Sequence, residues 1–551
     1  MVRRSEHHSS YLHPSEIGPS ISSPPARRET SIFDLEALFA PDEDGDLGSA
    51  IEALRWSWPS AVAEHGSRLR AILDGLDPKR WEDDPWLVTA YAASYRSIGS
   101  PSRSAALPYF SAAGSAMTNA TPAGIRIAWM LHYSASLRGL GRLAEALSTA
   151  DEARSLLEAD STLPLSFRIA LGTKVGLQRG LALHHLGDYD GAAAELGLVS
   201  GLVDCHLHPS EKLEFFGGMA MEQYFSGNFG RALEFVGLAR SVGEKSPLTL
   251  GQFGAGALTA ELLICVEQGR LGEADALAPL VDRAGTNSEW EPLSLYSRAA
   301  ISIIRKKYVE GLELLRRCRQ SYSTWSPPGS IIVISEGLRA TILLRLGEAD
   351  SARDILGSLE PTQHHSHCPG RFLAQLSFRD GDIRGALATL QDCEALGDAH
   401  SSRTLVDVML IKAAATHQLS SFAISDFSFD RAMMLAAGNH LSAPFRLVPN
   451  SVMKAMIERA FRRPQSREMS GFLKKVHDSG PIVGGMDSAL LSAREREIVR
   501  AMTRNLAVPE IAKSLFISVN TVKTHVKSIY RKLGVHSRAD AIKRAKSLGL
   551  Q

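Results

Sequence analysis

"LRGLGRLAEALSTADEARSLL", residues 137–157, reads as the end of one helix, a turn at Gly141 and the start of a second helix. Leu, Ala and Glu on either side are good helix formers, and glycine is the residue that most easily closes a helix in the left-handed conformation. Ala146, five residues past the glycine, puts only a methyl group where the second helix meets the first. The arrangement returns as "LLRLGEADSARDIL" at 343–356. A glycine followed five residues later by a small residue recurs at Gly141/Ala146, Gly187/Ala192, Gly227/Ala232, Gly269/Ala274, Gly347/Ala352 and Gly381/Ala386. Lys306/Gly311 fills the one long gap, and Gly99/Ala105 begins the series slightly out of step. Steps between neighbours run 42, 46, 40, 42, 37, 41 and 34 residues.

A period of this size marks stacked units, none of which buries its apolar face alone. The copies resemble tetratricopeptide-type helical hairpins, at a spacing longer than is usual for that family. The resemblance implies a curved all-α solenoid whose concave face takes a peptide, protein or small-molecule effector. From about 31 to 460 the chain is Ala/Leu-rich with helical spacing and no convincing run of alternating strands. Residues 1–30 ("PSEIGPSISSPPARRET" at 14–30) have the composition of a disordered tail. Residues 461–488 read as a linker that ends in the Gly/Pro-rich "SGPIVGGMDS" at 479–488.

The net charge of +1 conceals an asymmetry. Residues 491–551 hold 13 Lys and Arg against 4 Asp and Glu, leaving 48 basic and 56 acidic of the chain's 61 and 60 to the rest. A tail of +9 on a body of −8 is the electrostatic footprint of polyanion binding. The same sums suggest that the body attracts the tail across the linker and masks it until a signal arrives.

The tail resolves into four short helices. Ser492 and Glu495 have capping-box spacing ahead of Ile498, Val499 and Met502, and Asn505 suits a left-handed stop. "AVPEIAKSLF" (507–516) reads as a second helix with Pro509 in its first turn. A third helix, about 518–533, has Ser518 as N-cap and Gly534 as stop, with Val522, Val526, Ile529 and Leu533 in one apolar stripe. At about 100° per residue, Asn520, Thr524, Lys527 and Arg531 lie opposite, with Lys523 at the edge. No carboxylate interrupts that face. A fourth helix, 537–548, carries Lys543, Arg544 and Lys546. Small Ala512 and Val522, on two helices joined by a tight turn, follow the plan of a helix-turn-helix.

"LSAREREIVRAM…EIAKSLFISVNTVKTHVKSIYRKLGVHSRADAI" resembles the LuxR-type DNA-binding domain of bacterial transcription regulators. The resemblance, over 489–551, implies that the third helix enters the major groove of double-stranded DNA and that the last helix makes a homodimer contact. By position it makes Lys523, Thr524 and Lys527 base readers and Asn520, Thr521 and Arg531 phosphate contacts. Two positions depart from the family: Asn505 stands where Gly is usual, and Ala507 where a capping Ser or Thr is usual. The second change removes a cap of about 1 kcal/mol.

The remaining expectations are negative. There is no G-x-x-x-x-G-K-[ST], no receiver-like unit, and no G-x-S-x-G or H-E-x-x-H spacing, so no enzyme and no cofactor is expected. "QHHSHCPG" (His364, His365, His367, Cys368) and "DCHLHP" (Cys205, His206, His208) lack C-x-x-C spacing and are read as ordinary loop residues rather than metal ligands. Five scattered cysteines suit unpaired thiols in a reducing cytoplasm, and no apolar run is long enough to span a membrane. The sequence favours a transcription regulator over an interaction scaffold whose basic tail docks a protein.

Overall fold

A computed structural model describes residues 62–97, 103–243, 247–326, 329–359, 368–395, 401–478, 491–504 and 506–548. The expected 1–30 tail, Gly99, His364, His365, His367, Asn505 and the stretch 479–490 lie outside these residues. The described residues are helical, with no strand among them. No described helix is long and apolar enough to cross a membrane.

The glycine series marks the hairpin turns. Gly141, Gly187, Gly227, Gly269, Gly347 and Gly381 all have positive φ, and Lys306 adopts the same conformation in the gap. Each turn joins two packed helices, as in Ala123–Gly139 with Leu143–Ala159 and Leu165–Leu186 with Tyr189–Val199. The small partners Ala146, Ala192, Ala232, Ala274, Ala352 and Ala386 are all fully buried. Ser420, with φ 59°, and buried Ser425 make a further copy between helices Ser402–Gln418 and Phe422–Asn439. Serine in place of glycine hid that copy in the sequence. At the start of the series Ala105 is exposed and Ala106 is buried instead, so that copy is out of register. The expected linker 461–488 also needs correcting. It contains helix Arg467–Asp478, whose Phe472 and Leu473 are buried against the body.

The solenoid winds so tightly that successive turns of the superhelix touch, and they touch at the hairpin turns. Ser326 N donates to Gly141 O at 3.0 Å, and a Cβ at Gly141 would overlap the Trp325 indole. Ser330 sits against Gly187 and hydrogen-bonds the Tyr189 hydroxyl at 2.6 Å. Ser402 Oγ donates to Gly227 O at 2.9 Å, and Ser442 N donates to Glu267 O at 2.9 Å beside Gly269. These four glycine turns are thus seats for chain more than a hundred residues further on, whereas Gly381 has nothing against it among the described residues.

The expected concave face is closed by its own side chains. Arg138, with 0% exposure, donates to Glu214 at 2.8 Å and to Glu289 at 3.0 Å, and Arg103 joins Glu289 at 3.0 Å. Burial pushes the Glu289 carboxyl up, but Arg138 and Arg103 outweigh it and hold it well below the usual carboxylate range. Its contribution to stability is therefore present above the unfolded carboxylate pKa and lost as pH falls. The neighbouring cavity between His185, Trp325 and Ile334 measures only about 20 Å³, too small for an effector. Elsewhere in the body, Cys368 and Cys393 are buried thiols 3.5 Å apart, and His208 caps helix Pro209–Ser226.

Glu289→Gln leaves Arg103 and Arg138 buried without their shared charge. It is expected to lower unfolding free energy by roughly 3–5 kcal/mol in denaturant titrations at neutral pH. A loss below about 1 kcal/mol would show that the network does not hold the superhelix together.

Candidate nucleic-acid interface

The four tail helices are Ala493–Thr503, Val508–Ser514, Val519–Leu533 and Arg538–Leu548. The capping box at the first is complete: Glu495 N donates to Ser492 Oγ at 3.2 Å, and Ser492 N to the Glu495 carboxylate at 2.6 Å. At the second helix Ala507 supplies no side-chain acceptor, yet its own N–H donates to Glu510 at 2.6 Å, so half of the box survives. The third helix starts on Ser518, which accepts from Thr521 N at 3.0 Å, and stops on Gly534 at φ 67°. Val522, Ile529 and Leu533 are buried with Ile511, Ala512, Ile498 and Val499, which fixes the angle between the helices.

All six residues expected to meet DNA, namely Asn520, Thr521, Lys523, Thr524, Lys527 and Arg531, are exposed on the third helix. Thr524 Oγ1 donates back to Asn520 O at 3.0 Å, and Thr521 Oγ1 lies 2.8 Å from Ser518 Oγ. The two threonines are held by the helix itself, while the lysines project freely. His525 is half-buried beside the apolar stripe. The turn before the helix adds a residue to which the sequence assigned no role: Phe516, at φ 52°, is 95% exposed.

Glu495 braces the third helix from behind. Lys532 Nζ donates to it at 2.6 Å, joining the first helix to the C-terminal end of the third. Burial pushes the Glu495 carboxyl up, but donation from Lys532, the Ser492 N–H and Ser528 outweighs this and brings it down to about 2. Arg538 closes the other side by donating to Leu506 O at 2.5 Å.

The domain also touches the body, and the residues involved had no sign in the sequence. Arg496 Nη1 donates to Leu346 O at 3.1 Å and packs against Gly347, so the tail fills a glycine-turn seat of the superhelix. Arg496 and Arg500 approach buried Glu348 at 3.4 and 3.7 Å, and on the fourth helix Arg544 donates to Glu313 at 2.6 Å. Burial raises the Glu348 carboxyl above its ordinary range, with Arg496 and Arg500 opposing it only in part.

A helical-repeat body joined to a small domain of four helices with a basic, exposed third helix fits a DNA-binding regulator of the helix-turn-helix class. The family model for bacterial regulatory proteins of the luxR family matches residues 489–545. The chain is 30% identical over 198 residues to the probable transcriptional regulatory protein NarL of Mycobacterium tuberculosis, covering 30% of this chain and 88% of that protein. It is 46% identical over 67 residues to the CsgBAC operon transcriptional regulatory protein of Escherichia coli, covering 12% and 31% respectively. A solved structure of the APC/C hetero-tetramer Cut9–Hcn1 aligns over 93% of this chain and 98% of its own, at a TM-score of 0.34 and 12% identity. At that score the likeness adds nothing to the fold described above. The chain belongs to the luxR family of bacterial regulatory proteins.

Glu495→Gln removes a depressed carboxylate whose stabilisation is present above its ordinary pKa of about 4.3 and fades as pH falls towards 2. Because Lys532 is itself 32% exposed, solvent screening limits the expected loss to about 1–2 kcal/mol at pH 7. Melting curves of native and variant chains at pH 7 and pH 3 test this, since the gap between them should shrink at pH 3.

Proposed function

We propose that this chain is a sequence-specific DNA-binding transcription regulator that places helix Val519–Leu533 in the major groove. Lys523, Thr524 and Lys527 face base edges, and Asn520, Thr521 and Arg531 meet phosphates. The observation that carries the reading is the exposed third-helix face, with three cations and three short polar side chains but no carboxylate. Lysine donates to guanine O6 and N7, and each neutralised phosphate releases counterions. The partner is double-stranded DNA, bound by a homodimer on paired half-sites about one helical turn apart.

Selection of random duplex DNA on the full chain, at two salt concentrations, tests this reading. The native chain is expected to enrich a palindromic site. The Lys523→Ala/Lys527→Ala double variant is expected to bind that site at least tenfold more weakly, with a salt slope shallower by about 2. An unchanged slope would move the chain to the scaffold class.

Regulation, on this reading, passes through the helical-repeat body, but not by covering the basic tail as the charge sums suggested. The three base readers and the three phosphate contacts all stay exposed while the domain is seated. What the seat holds is the first helix, through Arg496 and Arg500, and the fourth, through Arg544. The fourth helix is the one the family uses for dimer contact, so the body governs pairing rather than base contact. Glu348→Gln combined with Glu313→Arg is expected to raise the dimer fraction of the full chain on a paired half-site duplex several-fold, as read by analytical ultracentrifugation. An unchanged fraction would sink this form of control.

A further inference from the structure

Where the domain sits on the body, a groove of about 1070 Å³ opens between helix Tyr308–Tyr322 and the ends of the third and fourth tail helices. Its lining holds seven Lys and Arg residues against three carboxylates. The cations come from two separate walls. Arg316 and Arg317 belong to the body, while Arg531, Lys543 and Arg544 belong to the tail. Like charges facing one another across one groove repel wherever their separation falls within the Debye length of about 10 Å at 0.1 M salt.

Glu313 is the carboxylate set between them. It accepts from Arg316 at 2.7 Å and from Arg544 at 2.6 Å, and the Arg316 hydrogen bond, opposed by burial and helped by Arg544, holds its carboxyl below the ordinary range. Three carboxylates do not balance seven cations, and Glu310 and Asp540 are themselves engaged by Lys307 and Ser537. Arg317, Arg531 and Lys543 have no ion-pair partner among the described residues. The groove therefore carries an excess of positive charge, and it exists only while the two walls are together.

We infer that this groove is a binding site for a small polyanion of the phosphate-ester class, a molecule carrying two or more phosphoryl charges, which holds the DNA-binding domain on the body. Arginine's planar fork matches phosphate oxygens in a bidentate fashion, and both walls supply such forks. A groove of this volume accommodates a nucleotide-sized ligand. Because the complete site is present only in the seated arrangement, ligand binding stabilises that arrangement by mass action. The inference rests on the proposed control of pairing through the seat. It also gives the effector a location outside the closed superhelix interior.

Inorganic tripolyphosphate is the probe, titrated calorimetrically into the full chain without DNA, with sulfate at equal ionic strength as control. Tripolyphosphate is expected to bind with one site per chain, and Arg316→Ala/Arg317→Ala and Lys543→Ala are each expected to weaken it at least tenfold. Arg316, Arg317 and Lys543 are exposed, and unchanged melting temperatures verify that the variants fold. A second arm measures dimerisation on the paired half-site duplex, which saturating tripolyphosphate should lower in the native chain and leave unchanged in the Arg316/Arg317 variant. A flat titration, equal binding by native and variant chains, or equal binding of sulfate would overturn the site. If the Arg316/Arg317 variant keeps tripolyphosphate binding but loses DNA affinity and salt slope, the groove is a track for the DNA backbone, and the inference fails. Because the calorimetric arm contains no DNA, a failure of the DNA-binding reading would leave its result standing.

Discussion

The close approach of chain to chain at the left-handed hairpin turns is the constraint on which this molecule depends. A turn with φ near +75° and no side chain lets a second backbone come within hydrogen-bonding distance of its carbonyl, as Ser326 does at Gly141. Repeated at Gly187, Gly227 and Gly269, this contact stitches successive superhelical turns together. An ordinary solenoid has only nearest-neighbour contacts. Here the ends of a superhelical turn are linked across more than a hundred residues, which closes the interior and favours cooperative unfolding of the body.

Closure explains the buried charges. Arg103, Arg138, Glu214 and Glu289 face inward, where an open solenoid would leave them in water. Sealed from solvent, each arginine needs a carboxylate and each carboxylate more than one donor, and the network meets that requirement. The face that such folds commonly offer to a partner is therefore occupied by the protein itself. On the proposed reading, that leaves the outer surface and the junction with the tail for an effector.

Much of this was legible in the sequence, and the failures have physical causes. The hairpin register was visible because glycine and a small residue five positions on are both dictated locally, by turn geometry and helix approach. The Ser420 copy escaped because serine reached the same φ without the glycine that marks it. On the third tail helix the caps followed from residue type, and the apolar stripe and five of the six exposed positions from periodicity, while Thr521 came only with the family resemblance. Arg496, Arg500 and Arg544 did not, because their partners lie about 150 to 230 residues away and no local pattern records them. The charge sums foresaw attraction between body and tail but not its geometry. Net charge carries no information on which face is held.

That geometry decides how firmly the seat holds. Its central ion pairs are long, at 3.4 and 3.7 Å, and Glu348 Oε1 is buried without a hydrogen-bond partner among the described residues. A carboxylate desolvated and incompletely paired returns little of its burial cost. The seat is consequently held mainly by Arg496 on the Leu346 carbonyl and Arg544 on Glu313, two contacts worth a few kcal/mol together. An equilibrium with a gap of that size shifts under a ligand of ordinary differential affinity. Had the body covered Lys523 and Lys527, DNA itself would have competed directly for the tail. On the proposed reading, Lys523 and Lys527 stay free for DNA while the seat holds the first and fourth helices, and Arg531, which also lines the groove at the seat, is the expected DNA contact that the two share.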